Sequence, residues 1–240
     1  MRKKAYILFA LFIFTSLCSY SQEEKEISDI AFEKAVFYDI FPSIIDSIYF
    51  ETRLHLPPPP PPGFFYSNEE YKSDSNKAIK DYRNTKEYKT YMAKYEQKKD
   101  ALNKDTSAIF LVVYDSICRF EKKDIDELSK HFKIQTTIQI NPELKYRIDL
   151  NKLITNNEKF KFKYRSQFPK GREFWRTEYD YFIAASVGFN RIIFDQTRTY
   201  GVLNAGYSIG ILNGRGYRIF IKKNKSGKWV IDSIEDTWYS

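Results

Sequence analysis

Side chains that carry out metal or nucleophilic chemistry are few in this chain and lie far apart. The 240 residues include two histidines and two cysteines, and His55, Cys118 and His131 each lack a second ligand at metal-binding spacing. The sequence has no HExxH or CxxC pair and no GxxxxGK(S/T) phosphate loop. We therefore predict no catalytic residue, no cofactor or cofactor-binding residue and no metal ligand, and we interpret Cys118 as a buried packing residue.

Two pairs of nearby carboxylates have spacings that suggest chemistry. Glu178 and Asp180 lie beside aromatic residues, and residues two apart in a strand share a face at about 6 to 7 Å, which suits glycoside hydrolysis. We interpret this pair as ordinary charge at a sheet edge. Asp124 and Asp126 come closest to a calcium loop, but the spacing does not continue. We predict instead a capping box over 124–127.

The N-terminus resembles a secretory signal peptide. Three cations at positions 2–4 precede an apolar run over 5–17, and a small-x-small pattern ends at Ser21. The run is shorter than the roughly 20 residues that cross a bilayer as a helix. We predict a signal peptide over 1–21, with cleavage between Ser21 and Gln22, and a chain that is periplasmic or secreted. No later segment is long and apolar enough to span a membrane.

Cleavage at this position changes the charge and the cysteine count. The alternative is a lipoprotein anchored through Cys18, although Leu17 stands where a small residue is required. Removal of residues 1–21 lowers the net charge from +8 to +5 and leaves Cys118 alone, so no disulfide can form within the chain. Stability must then come from an ordinary hydrophobic core.

Residues 22–105 are predicted to form a helical region. Over 27–50, apolar side chains repeat at three and four positions, which marks one face of a helix. These residues are Phe37, Ile40, Phe41, Ile44, Ile45 and Ile48. Pro42 falls within the pattern, so we expect either a kinked helix or a restart capped by Asp39. The apolar face should dock on a C-terminal sheet or on the following helix.

A proline run divides this helical region. The six prolines from Pro57 to Pro62 predict a polyproline linker over 56–63, about 19 Å long. Such segments can dock into aromatic grooves of partner proteins, but we interpret this one as a stiff spacer. Over 69–105, mixed charge and tyrosines at helical spacing predict one long solvated helix.

From residue 106 to 240 the pattern predicts an α+β domain. Short apolar runs and period-two alternation indicate strands, and Asp-, Asn- and Gly-rich separators indicate turns, including Asn213-Gly214. The predicted strands are 109–113, 144–150, 160–165, 181–194, 199–209, 217–223 and 228–238, and a helix ends near Phe132. The last strands should pair as an antiparallel meander. Helices before a sheet give the fold class α+β.

The closing strands resemble those of known proteins. The segments concerned are Gly188-Phe-Asn-Arg191, Tyr200-Gly-Val-Leu-Asn204, Gly210-Ile-Leu-Asn-Gly-Arg-Gly-Tyr217 and Gly227-Lys-Trp-Val230 before Trp238. They look like the final strands of many uncharacterised exported bacterial proteins and are similar to cystatin-like and NTF2-like sheets. The resemblance covers about the last 55 residues and implies a fold more than a function. The helices and proline run have no counterpart in a simple NTF2-like domain.

Basic residues alternate with aromatic ones over 161–176, a composition typical of nucleic-acid surfaces. They are Lys161, Lys163, Arg165, Lys170, Arg172 and Arg176. Because export separates the chain from nucleic acid, we expect no nucleic-acid partner. A protein, an anionic glycan or another envelope component would meet the same charge. We nevertheless interpret these residues as solubilising charge on the wet face of a sheet.

These observations favour a non-enzymatic binding module or an envelope-associated structural module. The alternative is a small-ligand enzyme or carrier that uses the concave face of an NTF2-like sheet. That alternative predicts a cavity of several hundred Å³ lined by aromatic residues.

Overall fold

The computed structural model describes residues 28–54, 58–135 and 145–240. The predicted signal peptide with its Ser21–Gln22 cleavage site, Cys18 and His55 lie outside these ranges. The chain forms two compact units: one joins the described residues up to Tyr49 to Phe110–Ser240, and the other spans Phe50–Ile109. The fold class is α+β, as predicted, because helices precede a mixed sheet that ends in antiparallel strands.

The Phe50–Ile109 unit is built from short and medium helices. They are α2 (Pro62–Phe65), α3 (Glu69–Ser73), α4 (Ser75–Asn84) and α5 (Lys86–Lys104). The prediction of one long helix over 69–105 is therefore wrong. The backbone is extended at Asp74 and Thr85, and the side chain of each residue caps the next helix by accepting from its first backbone N–H groups.

The proline run ends differently from the prediction. Leu56 and Pro57 lie outside the described residues, and Pro61 is extended, with φ −63° and ψ 149°. Pro62 opens α2, so the last residues of the predicted linker are helical. Proline suits this first position because its missing N–H would have no partner within the helix.

The main sheet belongs to the other unit, which includes α1, the helix over residues 28–48. Its strands within the described residues are β1 (Ile109–Val113), β4 (Phe160–Tyr164), β5 (Phe182–Phe189), β6 (Ile193–Phe194), β7 (Tyr200–Gly210), β8 (Asn213–Lys223) and β9 (Trp229–Tyr239). They lie in the order β4-β1-β5-β7-β8-β9, and β6 also pairs with β7. β2 (Ser116–Ile117) and β3 (Tyr146–Arg147) form a separate ladder. β5, β7, β8 and β9 pair antiparallel in succession, which confirms the predicted antiparallel end.

One face of the main sheet is covered by α1. Alternate residues of β5, β7 and β8 point to this face and are buried: Val187, Phe189, Leu203, Ala205, Tyr207, Ile219 and Ile221. Phe37 and Phe41 of α1 pack against Phe189, with ring centroids 5.2 and 5.9 Å apart. The helix runs through Asp39 and Pro42 without a restart, and its apolar face docks on the sheet as predicted.

A buried ion pair joins α1 to the segment after β5. Glu33 and Arg191 are each 2% exposed, and Arg191 donates to Glu33 Oε2 from Nε at 3.0 Å and from Nη2 at 2.7 Å. Oε1 accepts from the Ile192 N–H at 2.9 Å and from the Tyr146 hydroxyl at 3.4 Å. Burial raises the pKa of Glu33, and the hydrogen bonds and charge of Arg191 oppose that rise. Both carboxylate oxygens are thus satisfied.

The opposite face is covered at one end by α6 (Lys123–Phe132), which ends where the sequence predicts. Leu128 of α6 is buried in a cluster with Val202 and Phe220 of the sheet, and Phe132 packs beside them. The other short helices in the described part of the chain are two 3-10 turns, Leu150–Lys152 and Arg165–Gln167, and α7 (Glu173–Arg176). Within the described ranges we find no helix with the length and apolarity that crossing a bilayer requires.

Three predicted strands differ in extent from the observed ones. Residues 190–192 interrupt the predicted 181–194 strand and separate β5 from β6. The predicted 144–150 strand is reduced to β3, and Leu144 lies outside the described residues. β8 begins at Asn213, so the β7–β8 turn is formed by Ile211-Leu212 and not by Asn213-Gly214.

Candidate functional site

The part of the second sheet face that α6 leaves uncovered is lined by small side chains. β5 and β7 contribute a serine pair and a glycine pair in cross-strand register, and β8 continues that register with two glycines. Cross-strand partners share a face, so three neighbouring strands present these residues side by side. We call this surface the Ser/Gly floor: Ser186, Gly188, Gly206, Ser208, Gly214 and Gly216.

Two aromatic rings lie on the Ser/Gly floor. A Cβ atom at Gly216 would stand 1.9 Å from Trp238 Nε1, and one at Gly188 would stand 3.1 Å from Tyr114 Cδ2. The glycines therefore make room for the rings, most strictly at Gly216. Trp238 is 45% exposed and Tyr114 is 50% exposed, so both rings remain available to a ligand.

The Ser/Gly floor is the base of a long groove. A cavity of about 590 Å³ extends from Tyr114 to Trp238 and the start of α6, and a second cavity of about 860 Å³ extends toward residues 165–175. The two share lining residues, namely Tyr114, Cys118, Ser186 and Ser208. We refer to the two cavities together as the groove, and their size is that of small-molecule sites.

Buried polar atoms of the groove lack hydrogen-bond partners among the described residues. Ser186 is 5% exposed, yet its Oγ has no partner there, and the same holds for Asn204 Oδ1 and Arg218 Nε. All three residues line the smaller cavity. An unsatisfied buried group costs about 1–3 kcal/mol, so proteins seldom collect several in one place. A polar ligand, or water bound with it, would satisfy these atoms.

Asp124 holds the polar side chains at the α6 end of the groove. It is 1% exposed, and its carboxylate accepts from the Asn204 side-chain amide at 2.8 Å and from Arg218 Nη2 at 3.3 Å. The predicted capping box over 124–127 is wrong, because Lys122 is the N-cap residue and makes no side-chain cap bond. Asp124 instead orients Asn204 and Arg218.

Cys118 is exposed and lines both parts of the groove, so its interpretation as a buried packing residue is wrong. The reason is strand alternation: Ile117 of β2 is buried, and the next side chain points the other way. The backbone of Cys118 is held by hydrogen bonds to Phe189 and Arg191. Its thiol therefore has a fixed attachment point beside the Ser/Gly floor.

The prediction that the chain has no catalytic residue overlooks one motif in the sequence. Gly206-Tyr-Ser-Ile-Gly210 matches the Gly-x-Ser-x-Gly pattern of a nucleophile elbow, in which the serine lies on a sharp strand-to-helix turn. Here the motif lies within β7 and is followed by the hairpin to β8 instead of a helix. Ser208 is therefore part of the Ser/Gly floor, and the pattern does not mark an elbow.

Glu178 and Asp180 do not share a strand face. Both are exposed and lie between α7 and β5, so strand geometry does not set the separation of their carboxylates. Asp126 is not paired with Asp124 at a calcium loop either. In the described ranges, no group of three or more His, Cys, Asp or Glu side chains could hold a metal ion.

The basic residues of the 161–176 segment are divided among different environments. Lys163 Nζ lies over the rings of Phe110 and Tyr181, at 5.2 and 5.0 Å from their centroids. Arg176 pairs with Glu173 at 2.9 Å, and Lys161 is exposed on β4. The other three, Arg165, Lys170 and Arg172, line the larger cavity of the groove.

His131 lies in the last turn of α6, where it contacts both an acidic and an aromatic side chain. Its Nε2 lies 2.7 Å from Asp232 Oδ2, and its ring stacks on Phe220 with centroids 3.8 Å apart. Hydrogen bonds from Lys222 and His131 hold the pKa of Asp232 below its ordinary value. This pair joins α6 to β9 and lies outside the residues that line the groove.

Comparison of the chain with protein-family models, with curated proteins and with solved structures returns no match.

Proposed function

We propose that this chain is a non-enzymatic binding module of an exported protein, and that the groove is its binding surface. The observation that carries the proposal is the set of buried, unpartnered polar atoms of Ser186, Asn204 and Arg218 beside two half-exposed rings. Polar atoms that converge in a concave, partly aromatic surface are typical of ligand sites. The N-terminal signal-like segment supports export.

The carboxylates at the groove favour binding over catalysis. Asp115 accepts from the Ser166 N–H and hydroxyl at 3.0 and 2.7 Å, and Asp124 accepts from Asn204 and Arg218. Each carboxylate is thus engaged by two or more donors, an arrangement that fixes the positions of the side chains around it. Among the residues that the structure describes, these two carboxylates therefore act as fixed acceptors that would help to orient a ligand.

A small-ligand carrier is the second candidate, because the two cavities have the volume and aromatic lining that it predicts. The two candidates differ in what is retained. A carrier would release a small molecule on denaturation, whereas a module that binds an envelope component would retain a macromolecule.

The test uses two glycine variants. A Cβ at Gly206 would meet Trp238 at 3.8 Å, an ordinary contact, so Gly206→Leu should place the rest of its side chain in the groove beside the indole. Gly63→Leu is the matched control, since a Cβ at Gly63 meets nothing within 4 Å and Gly63 lies in α2.

Immobilised wild type and both variants would be exposed to an envelope extract of the producing cells. We expect wild type and Gly63→Leu to retain the same material and Gly206→Leu to retain little of it, with unchanged circular dichroism. Equal retention by all three proteins, or no retention by the wild type, would overturn the proposal.

A further inference from the structure

The larger cavity of the groove carries an excess of positive charge. Its lining contains four cationic residues and one acidic residue: Lys145, Arg165, Lys170, Arg172 and Asp115. Asp115 is engaged by Ser166. Lys145, Lys170 and Arg172 are exposed and form no ion pair with the described residues. The positive potential at this end of the groove is therefore available to an anionic ligand.

Arg165 differs from the other three cations because it is fixed in place. Its guanidinium lies 4.4 Å from the centroid of the Phe174 ring and donates to the Pro169 carbonyl at 2.7 Å. It holds the loop that carries Lys170 and Arg172, whose intervening Gly171 has φ +56°. The two exposed cations thus extend from an anchored turn at the edge of the groove.

The smaller cavity offers flat apolar surfaces and hydrogen-bonding groups together. The half-exposed rings of Tyr114 and Trp238 present planar faces, and the atoms that need partners belong to Ser186, Asn204 and Arg218. A sugar ring has an apolar face of C–H groups and a rim of hydroxyls, and it can meet both requirements at once.

A peptide fits the same surface less well. Strand addition requires an open sheet edge, and the Ser/Gly floor belongs to β5, β7 and β8, which are interior strands whose backbone groups are already paired. Main-chain recognition of a peptide is therefore not available on the floor.

We propose that the groove binds an acidic oligosaccharide, with sugar rings against Tyr114 and Trp238 and carboxylates near Lys170 and Arg172. This inference rests on the proposed function and specifies its ligand class. Because the cationic residues are exposed, binding should weaken as salt concentration rises.

The experiment measures how fast iodoacetamide alkylates Cys118, quantified on the peptide that contains it by mass spectrometry. The probe is tetragalacturonate. Its methyl ester provides the same rings without charge, and hexaglutamate provides charge without sugar rings. Lys170→Ala/Arg172→Ala is compared with Lys225→Ala/Lys228→Ala, which removes two exposed charges beside the turn between β8 and β9.

We expect tetragalacturonate to protect Cys118 in the wild type and in Lys225→Ala/Lys228→Ala. Lys170→Ala/Arg172→Ala should require about tenfold more tetragalacturonate than wild type for the same protection. Wild type should in turn require about tenfold more of the methyl ester than of tetragalacturonate. In Gly206→Leu, tetragalacturonate should not slow the alkylation of Cys118 relative to the rate in the same variant without it.

Each contrary result has its own meaning. Equal protection by hexaglutamate would overturn the saccharide assignment, and equal protection by the methyl ester would overturn the anionic one. If tetragalacturonate fails to protect Cys118 while the envelope extract is still retained through the groove, the ligand class is wrong and the proposed function stands. If Gly206→Leu also retains as much envelope material as wild type, both the ligand class and the proposed function are wrong.

Discussion

A buried ion pair on the α1 face of the main sheet and the buried polar groups of the groove on the other face differ in how fully they are hydrogen-bonded. On the face covered by α1, Glu33 and Arg191 are almost fully buried, and the hydrogen bonds between them and from Ile192 satisfy the carboxylate. On the face of the groove, Ser186 and Arg218 bury polar atoms that have no partner among the described residues.

The difference indicates what each face is for. Satisfied groups stabilise the fold, whereas each unsatisfied buried atom lowers the free energy of unfolding by about 1–3 kcal/mol. Residues that conflict with local stability are expected at functional sites, where binding a ligand compensates for the loss. We therefore interpret the α1 face as the structural one and the groove face as the binding one.

The largest effect should come from the α1 face. Glu33→Ala leaves Arg191 buried without its counter-ion, and breaking a buried pair from one side costs about 3–5 kcal/mol. Urea denaturation followed by circular dichroism measures this loss. Glu158→Ala, which removes an exposed carboxylate, is the control and should change little. If Glu33→Ala lowers the free energy of unfolding by less than about 1 kcal/mol, the Glu33–Arg191 pair does not have the structural role assigned to it.

A smaller effect is expected where Trp238 lies on the Ser/Gly floor. Gly216→Ala places a methyl group against the indole, and overpacking of this kind costs about 1–3 kcal/mol. The ring must move, so the tryptophan emission should also change. Gly206→Ala is the matched control because its Cβ would make an ordinary contact with Trp238. If the two alanine variants behave alike, the indole does not lie on Gly216.

Local periodicity explains why the structural face could be predicted from sequence. The apolar repeat from Phe37 to Ile48 lies on one side of one helix, and its burial follows from that spacing alone. Strand alternation together with the short turn-forming separators likewise predicts the antiparallel end of the sheet. By contrast, the breaks at Asp74 and Thr85 lie in a charged, exposed region where no apolar repeat marks the helix ends.

The groove could not be predicted because it depends on register between distant strands. Glycines such as Gly214 are turn formers when considered one at a time, and Asn213-Gly214 alone predicts a turn. Only the pairing of β7 with β8 shows that Gly214 and Gly216 are strand residues that lie under Trp238. Cys118 is different, since its position after the buried Ile117 of a strand was a usable signal.

The smallest effect on stability should come from Asp232, which lies in β9 and contacts His131 of α6. Lys222 and His131 lower its pKa, so Asp232 stabilises the fold above its ordinary pKa of 3.8, and this contribution disappears as pH falls through the lowered value. Because Asp232 and its two partners are partly exposed, Asp232→Asn should lower the free energy of unfolding by less than about 1 kcal/mol at pH 7. The difference from wild type should vanish at low pH. A difference that grows on acidification would contradict the assignment.

The most direct test of the two-face account is the free energy of unfolding of Ser186→Ala, measured by urea denaturation and paired with retention of envelope material. Because the Ser186 hydroxyl is buried without a partner among the described residues, the account predicts equal or greater stability and reduced retention. A loss of more than about 1 kcal/mol with unchanged retention would show that Ser186 serves the fold and not a ligand.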